Sequence, residues 1–156
     1  MKISLGKKEI IHFVGIGGIG MSGLALIMKD LGFTVKGSDQ QMSKNIDRLK
    51  KNKINIQIKH KKKNLSNATI VVVSSAIKKN NPEYLEAKKR KIPIYKRGEM
   101  LASIVSLYKN VVVAGSHGKT TTTSIVSTIF SKSSLDPTII NGGVINSIGN
   151  SAKLGK

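Results

Sequence analysis

Apolar residues in the first part of the chain fall into short runs and helical spacings that alternate in a regular order. Residues 10–14 are an almost wholly apolar run that predicts a buried strand. In the segment 21–32, one helical face carries Met21, Leu24, Ala25, Met28 and Leu31, and Gly32 stands where a helix C-cap belongs. Residues 33–36 predict a second strand. The pattern therefore predicts a β-α-β unit near the start of the chain.

The same alternation continues to residue 105. The predicted elements are, in order, a helix at 43–53, a strand at 54–58, a strand at 68–73 apolar enough to be buried on both faces, a helix capped at 81–83, an edge strand at 92–95 and a helix at 97–105. Strands that alternate with helices are typical of a parallel sheet. We therefore expect an α/β fold.

A second strand-loop-helix pattern begins at residue 111. Residues 111–114 predict a short buried strand, and the helix predicted after Lys119 has an apolar stripe of Ile125, Val126, Ile129 and Phe130. Residues 135–140 predict a turn and a strand, followed by a tail rich in Gly, Ser and Asn. We place a domain boundary here, with one domain at 1–107 and a second at 108–156. The second domain is expected to be incomplete, because a phosphate-loop domain needs further parallel strands and an acidic residue for Mg²⁺.

Glycines follow the first predicted strand at positions 15, 17 and 20, and Asp39 lies 19 residues beyond Gly20. Between a strand and a helix, this spacing is typical of a site for a nucleotide diphosphate. Taken alone it suggests NAD, with Asp39 on a ribose hydroxyl; alternatively the glycines only permit close helix–sheet packing. Ser74 and Ser75 follow another predicted strand and are either site residues or turn serines. His12 is interpreted as a packed strand residue.

The second loop reads Gly-Ser-His-Gly-Lys-Thr at 115–120 and leads into a helix. Free N–H groups and the helix dipole favour an anion at such a position. Lys119 would lie against the β- and γ-phosphates of a nucleotide, and the Thr120 hydroxyl would hold Mg²⁺. The match is imperfect, because the glycine expected five positions before the Gly-Lys pair is Val113. The alternative is an ordinary strand-to-helix turn.

The composition narrows the function classes. The chain has 27 basic and 8 acidic residues, but 24 of the basic ones are Lys, and the aromatic residues do not interleave with them. We therefore expect no nucleic-acid partner.

His60 is expected to lie in a solvated lysine-rich loop and not to be a ligand. The absence of cysteine excludes disulfides and thiolate metal sites. No apolar run is long enough for a membrane span, so we expect a cytoplasmic protein without a membrane partner; its oligomeric state is left open.

Taken together, the two loops and the segments between them resemble the amino-terminal part of the Mur ligases, which build the peptide stem of peptidoglycan. The resemblance covers nearly the whole chain. The matching segments are 11–25, 37–39, 72–77, 81–83, 97–102, 115–121, 135–138 and 141–143. It implies a Rossmann-like parallel-sheet domain that binds a UDP-sugar, followed by the truncated start of the family's P-loop α/β domain.

The resemblance also implies an activity: ATP phosphorylates the carboxylate of UDP-N-acetylmuramate, and the amine of L-alanine attacks the acyl phosphate. The first loop would then hold the diphosphate of the UDP-sugar and not NAD. The residues implied to bind the UDP-sugar are Gly15, Ile16, Gly17, Gly18, Ile19, Gly20, Met21 and Ser22, with Asp39 and Ser74 near the uridine or the sugar. Those implied to bind ATP are Gly115, Ser116, His117, Gly118, Lys119, Thr120 and Thr121. Among these, Lys119 neutralises the transferred phosphate, Thr120 is the Mg²⁺ ligand and His117 shapes the loop.

Other functions remain open from the sequence. A ligase that joins a ready-made tripeptide to the same UDP-sugar shares both loops. A nicotinamide-binding oxidoreductase or regulatory module and a non-enzymatic anion-binding module are the alternatives from other classes. The family's acidic Mg²⁺ segment, ATP base pocket and third domain are not recognisable here. We therefore expect this chain alone to bind a UDP-sugar weakly and not to catalyse ligation.

Overall fold

The computed structural model describes residues 8–145 and 150–155. The elements are β1 (Ile10–Val14), α1 (Ile19–Asp30), β2 (Thr34–Asp39), α2 (Lys44–Lys51), β3 (Asn55–Ile58), β4 (Ile70–Val73), α3 (Pro82–Lys89), β5 (Ile94–Lys96), α4 (Arg97–Val105), α5 (Lys119–Ser131), β6 (Ile139–Ile145) and β7 (Asn150–Lys153). A 3₁₀ turn at Lys62–Leu65 lies between β3 and β4. The alternation predicted through residue 105 is confirmed, with shifts of one to three residues at several element ends.

Strands β1 to β5 form a parallel sheet in the order β3-β2-β1-β4-β5. The chain therefore leaves β1 toward β2 and β3, and then returns to place β4 on the other side of β1. In open parallel sheets the ligand crevice lies at the carboxyl ends of the strands, where the order reverses. The predicted α/β class is confirmed, and β5 is an edge strand, as Pro93 indicates.

The two faces of this sheet are covered by different helices. Ile11 and Phe13 of β1 are fully buried beneath apolar residues of α1, α2 and α4. Val14 and the β4 residues Val71 and Val73 point the other way and pack against Leu65 and Ala87 of the 3₁₀ turn and α3. Because side chains alternate along a strand, β1 contributes to both layers. This burial holds the carboxyl end of β1 in a fixed position beneath the first glycine loop.

The strand predicted within residues 135–140 is confirmed, since β6 begins at Ile139, but the segment after residue 140 differs from its prediction. Strand β6 continues to Ile145, and β7 pairs with it antiparallel, where a polar tail was expected. Ala152 lies in the core beside α1, and Ile140 and Leu154 pack against that core. This pairing gives hydrogen-bond partners to backbone groups that the polar composition predicts to be solvated. Residues 146–149 and 156 of the predicted tail lie outside the described residues.

The strand predicted at residues 111–114 is wrong. No strand is assigned there, and Val111 and Val112 are 70% and 72% exposed. Within the described residues no strand pairs with this run, and an unpaired extended segment cannot form a parallel ladder. The following helix is confirmed, but Ile125 and Ile129 of its apolar stripe are 56% and 62% exposed. In the described ranges no helix is long and apolar enough to cross a membrane.

Candidate nucleotide-binding sites

The first glycine loop turns the chain sharply at the end of β1. Gly15 has φ of +80°, a left-handed conformation that favours glycine. The backbone N–H groups of Gly15 and Ile16 both donate to the Ser38 carbonyl, at 2.9 and 3.0 Å. A Cβ placed on Gly15 would lie only 3.1 Å from the Ser74 Cβ. The structure thus places Ser74 beside the first loop and directs the N-terminus of α1 toward the carboxyl edge of the sheet.

Asp39 fixes the same loop from the end of β2. Its Oδ2 accepts a hydrogen bond from the Gly17 N–H at 2.7 Å, and its Oδ1 accepts one from the Gln40 N–H at 2.7 Å. The Asn45 side chain donates to the Gly17 carbonyl at 2.8 Å. Asp39 therefore lies at the first loop, but its carboxylate is already engaged by backbone donors. Asn45 was missed by sequence reasoning, because a single Asn in a short polar helix has no distinguishing spacing.

The remaining residues predicted to face the UDP diphosphate fall into a buried group and a more exposed group. Ile16 and Met21 are 0% and 2% exposed, and both belong to the hydrophobic core. Ser22 is fully buried, and its hydroxyl donates to the Ile19 carbonyl at 3.0 Å. A ligand at this loop could meet these residues only through their backbone. Gly17 and Gly20 are half-buried, and Gly18 and Ile19 are exposed, so they border the open side of the loop.

Arg97 brings a positive charge to the start of α1. A Cβ on Gly20 would lie 2.9 Å from a guanidinium nitrogen of Arg97, so only glycine lets this side chain pack so closely. Arg97 and Gly20 also line a small cavity of about 70 Å³. The first turn of α1 carries no acidic residue. A helix N-terminus and a guanidinium side by side form an environment for an anion. The sequence pattern identified Arg97 only as the start of α4.

The second glycine loop turns the chain sharply into α5. Gly115 and Gly118 have φ of +150° and +75°, and Gly118 is the N-cap of α5 without any side-chain cap. The Lys119 ammonium donates to the carbonyls of Gly115 and Ser116 at 2.5 and 3.0 Å, which places its charge inside the loop. All seven residues from 115 to 121 are exposed. The exposed loop leaves room for a ligand beside Lys119, although the strand predicted to support it is not formed.

The Thr120 hydroxyl is the protein oxygen predicted to bind Mg²⁺ at this loop. Thr120 is exposed in the first turn of α5, where a hydroxyl can reach a metal held by phosphates. Within the described residues there is no group of three or more His, Cys, Asp or Glu placed to hold a metal. Mg²⁺ commonly keeps several waters and binds nucleotide phosphates with few protein ligands. The donor set thus suits a nucleotide-bound Mg²⁺ and not a metal held by protein side chains alone.

A buried polar cluster centred on Glu83 was not predicted. Glu83 is fully buried, and its carboxylate accepts hydrogen bonds from Ser38 Oγ at 2.6 Å, Asn64 Nδ2 at 2.6 Å and His12 Nε2 at 3.1 Å. His60 Nδ1 lies 2.9 Å from Ser38 Oγ and 3.6 Å from the carboxylate. The expectation that His60 lies in a solvated loop is therefore wrong, since only 9% of it is exposed.

The electrostatics of this cluster favour the ionised carboxylate. Burial raises the pKa of Glu83, but the hydrogen bonds from His12, His60 and Ser38 outweigh it and hold that pKa well below its usual range. The cluster joins β1, β2, α3 and the 3₁₀ turn through one buried anion. His12 is thus a packed strand residue, as predicted, and the Glu83 carboxylate is closed to substrate.

The fold and the first loop define a class of protein. A parallel sheet whose strand order reverses at β1, with a glycine turn and a helix N-terminus at that point, is a Rossmann-like fold. The family model described as Mur ligase family, catalytic domain, matches residues 10–109. The chain therefore belongs to the Mur ligase family.

Comparisons with individual proteins agree with this assignment. The chain is 74% identical over all 156 residues to a UDP-N-acetylmuramate–L-alanine ligase of Pelagibacter ubique, and 53% identical over 145 residues to the protein of the same name from Azorhizobium caulinodans. The chain covers 34% and 31% of these relatives, so it spans about a third of their length.

Among solved structures, a UDP-N-acetylmuramate–alanine ligase of Thermotoga maritima has a TM-score of 0.87 at 33% identity. That match covers 93% of this chain and 34% of the other. A UDP-N-acetylmuramate:L-alanyl-γ-D-glutamyl-meso-diaminopimelate ligase from Neisseria meningitides has a TM-score of 0.88 at 31% identity, covering 96% of this chain and 47% of the other. The α/β fold is therefore that of ligases of this family.

Proposed function

We propose that this chain is the amino-terminal part of an ATP-dependent ligase that joins L-alanine to UDP-N-acetylmuramate in peptidoglycan precursor synthesis. The observation that carries the proposal is the 74% identity, along the full 156 residues, to a relative named for that reaction. Residues 1–107 form the UDP-sugar domain, and residues 108–156 begin the ATP domain. A reaction that uses ATP and a UDP-sugar belongs in the cytoplasm.

In this proposal the first loop binds the diphosphate of the UDP-sugar. The backbone from Gly15 to Ser22 supplies N–H donors at the start of α1, and the Arg97 guanidinium beside Gly20 supplies charge. Asp39 and Ser74 flank the loop and border the uridine or the sugar. The tight packing at Gly15 and Gly20 supports this arrangement, because it keeps the loop backbone and the Arg97 guanidinium close to the position proposed for the diphosphate.

The second loop serves the chemical step. A carboxylate is a poor electrophile, so the muramate carboxylate must first receive a phosphoryl group that can leave. The carboxylate and the γ-phosphate repel each other, and Lys119 at the centre of the 115–121 loop reduces this repulsion. The Thr120 hydroxyl would hold Mg²⁺, and the metal would supply Lewis-acid charge to the phosphates. Gly115, Ser116, His117, Gly118 and Thr121 complete the cradle for ATP, with His117 shaping it.

A thermal-shift experiment tests the substrate class. Adding UDP-N-acetylmuramate to the chain should raise its melting temperature by mass action, whereas NADH at the same concentration should leave it unchanged. UDP alone should give a smaller rise, because it lacks the sugar. A rise with NADH and none with the UDP-sugar would favour a nicotinamide-binding module and overturn the proposal.

A second candidate is the ligase that attaches a ready-made tripeptide to the same UDP-sugar. The observation in its favour is that a solved structure named for that activity matches 96% of this chain with a TM-score of 0.88. The two activities differ in the amine they accept, not in the UDP-sugar. Phosphate release by the full-length protein with L-alanine, compared with the tripeptide L-alanyl-γ-D-glutamyl-meso-diaminopimelate, separates them.

A further inference from the structure

The first glycine loop lies against the carboxyl end of β2. The Ser38 carbonyl accepts hydrogen bonds from the Gly15 and Ile16 N–H groups at 2.9 and 3.0 Å. A Cβ on Gly37 would lie 2.6 Å from Ile16 Cδ1 and 2.7 Å from the Phe13 carbonyl oxygen, closer than such atoms normally approach. The end of β2 therefore determines where the turn between β1 and α1 lies.

The side chain of Ser38 is held separately from its carbonyl. Its hydroxyl donates to Glu83 Oε2 at 2.6 Å and lies 2.9 Å from His60 Nδ1. An ionised carboxylate only accepts hydrogen bonds, so the single hydroxyl hydrogen is directed to Glu83 and the imidazole donates to the hydroxyl oxygen. One partner lies on α3 and the other in the segment after β3. Ser38 is thus fixed from the side of the sheet that carries α3.

The Glu83 carboxylate that holds Ser38 is itself fixed on both oxygens. Its Oε1 accepts from Asn64 Nδ2 at 2.6 Å and from the Lys61 N–H at 3.2 Å, and its Oε2 accepts from His12 Nε2 at 3.1 Å as well as from Ser38. Burial raises the pKa of Glu83, yet the side-chain hydrogen bonds keep that pKa well below its usual range. The acceptor facing Ser38 is therefore ionised, and hydrogen bonds to a charged acceptor are the stronger kind.

Neither side chain can reach a ligand, because Ser38 and Glu83 are both 0% exposed. Their effect on the loop passes through the Ser38 carbonyl, which accepts the two N–H groups at the turn. That turn leads into the first turn of α1, whose N–H groups have no partner within the helix and favour an anion. The buried carboxylate can therefore fix the anion-binding end of α1 without contacting a ligand.

We propose that Glu83 and Ser38 are positioning residues for the first glycine loop. The buried carboxylate fixes Ser38, and the Ser38 carbonyl holds the turn that presents the start of α1 to the diphosphate. This inference rests on the proposed function, because the ligand is the UDP-sugar assigned there. Breaking the link loosens the loop and weakens binding of the UDP-sugar, although neither residue touches it.

Amide hydrogen exchange measured by NMR tests the link without any ligand. Ser38→Ala removes the hydroxyl and keeps the carbonyl. The Gly15 and Ile16 amides should then exchange about tenfold faster, relative to the amide of Phe13 in the middle of β1, which reports opening of the sheet. The ratio to Phe13 removes any change in global stability. An unchanged ratio in Ser38→Ala would overturn the proposal.

Asn64→Ala is the matched control for a merely structural role. It removes a hydrogen bond of the same length, 2.6 Å, from the other oxygen of the Glu83 carboxylate. It leaves the hydroxyl of Ser38 on its carboxylate oxygen, so the exchange ratio of the loop amides should stay as in the unaltered chain. Equal increases in Asn64→Ala and Ser38→Ala would mean that the cluster only stabilises the fold, and would contradict the positioning role.

A double variant tests whether Glu83 acts through Ser38. Glu83→Gln keeps the size of the side chain and removes its charge, so the loop amides should exchange faster than in the unaltered chain. Combined with Ser38→Ala it should add nothing further at Gly15 and Ile16, because the link is already broken. Increases that add in the double variant would show a different route from the carboxylate to the loop, and would contradict the inference.

Calorimetric titration of UDP-N-acetylmuramate connects the link to binding. Ser38→Ala should bind the UDP-sugar several-fold more weakly than the unaltered chain, whereas Asn64→Ala should bind it equally well. Equal affinities for Ser38→Ala and the unaltered chain would contradict the role in binding. Absence of binding to the unaltered chain would instead count against the proposed function, and hydrogen exchange would still decide whether Ser38 holds the loop.

Discussion

The chain contains two runs of three valines, and one forms a buried strand while the other forms no strand. Val71, Val72 and Val73 form β4 and are at most 7% exposed, between β1 and β5. Residues 111–113 precede the second glycine loop, yet Val111 and Val112 are at least 70% exposed. The apolar pattern is the same, but only the first run has neighbouring strands. A buried parallel strand is therefore a property of the sheet around it.

The same difference extends to the two glycine loops. The first is held by the Ser38 carbonyl, by Asp39 and by the close packing of Ser74, all on strands or strand ends of a complete sheet. The second is exposed, and its central Lys119 donates to the loop's own carbonyls. We infer that the first loop is preorganised for an anion and that the second depends on its own backbone. Single substitutions in the two regions test this contrast.

The largest effect is expected from the buried anion beneath the first region. Glu83→Ala leaves Ser38, Asn64 and His12 without their common acceptor, and loss of one partner in a buried ionic cluster typically costs about 3–5 kcal/mol. Urea unfolding followed by far-UV circular dichroism measures the free energy of unfolding. Glu86→Ala, one turn further along α3, is the control and should change it by less than about 0.5 kcal/mol. Similar losses in both variants would mean that the cluster does not stabilise the sheet.

The valine runs allow the same substitution to be compared at a buried and at an exposed position. Val72 is fully buried in β4, so Val72→Ala should lower the free energy of unfolding by about 2–3 kcal/mol. Val112→Ala removes the same atoms from a side chain that is 72% exposed and should cost less than about 0.5 kcal/mol. The same urea titration serves both variants. A loss at Val112 as large as that at Val72 would show that the second run is packed.

The loop glycines give a smaller contrast. Gly15 and Gly118 have similar φ of +80° and +75°, so alanine at either position carries about 1–2 kcal/mol of left-handed strain. At Gly15 the new Cβ also approaches Ser74 to 3.1 Å, whereas at Gly118 nothing lies within 4 Å. Gly15→Ala should therefore be the more destabilising variant, by about 1 kcal/mol. Equal melting temperatures for the two variants would show that the first loop yields as easily as the second.

Much of the fold follows from local patterns, and most of the exceptions involve residues far apart in the chain. Apolar periodicity and the cap at Asn81 predict the elements to residue 105, because each of these signals lies within one element. The Glu83 cluster joins residues 12, 38, 60 and 83, which no spacing rule connects. The packing of Arg97 on Gly20 likewise depends on how α4 returns to α1. The strand predicted at 111–114 is the converse case. Its local apolar pattern is strong, but within the described residues no neighbouring strand pairs with it.

The most direct test is calorimetric titration of UDP-N-acetylmuramate into the chain and into two single variants. We expect weak but saturable binding that falls about tenfold or more in Arg97→Ala, which removes the guanidinium beside the first loop. Lys119→Ala, at the second loop, should bind the UDP-sugar as the unaltered chain does. Equal affinities for the chain and Arg97→Ala, or a loss confined to Lys119→Ala, would contradict the claim that the first loop is the preformed UDP-sugar site.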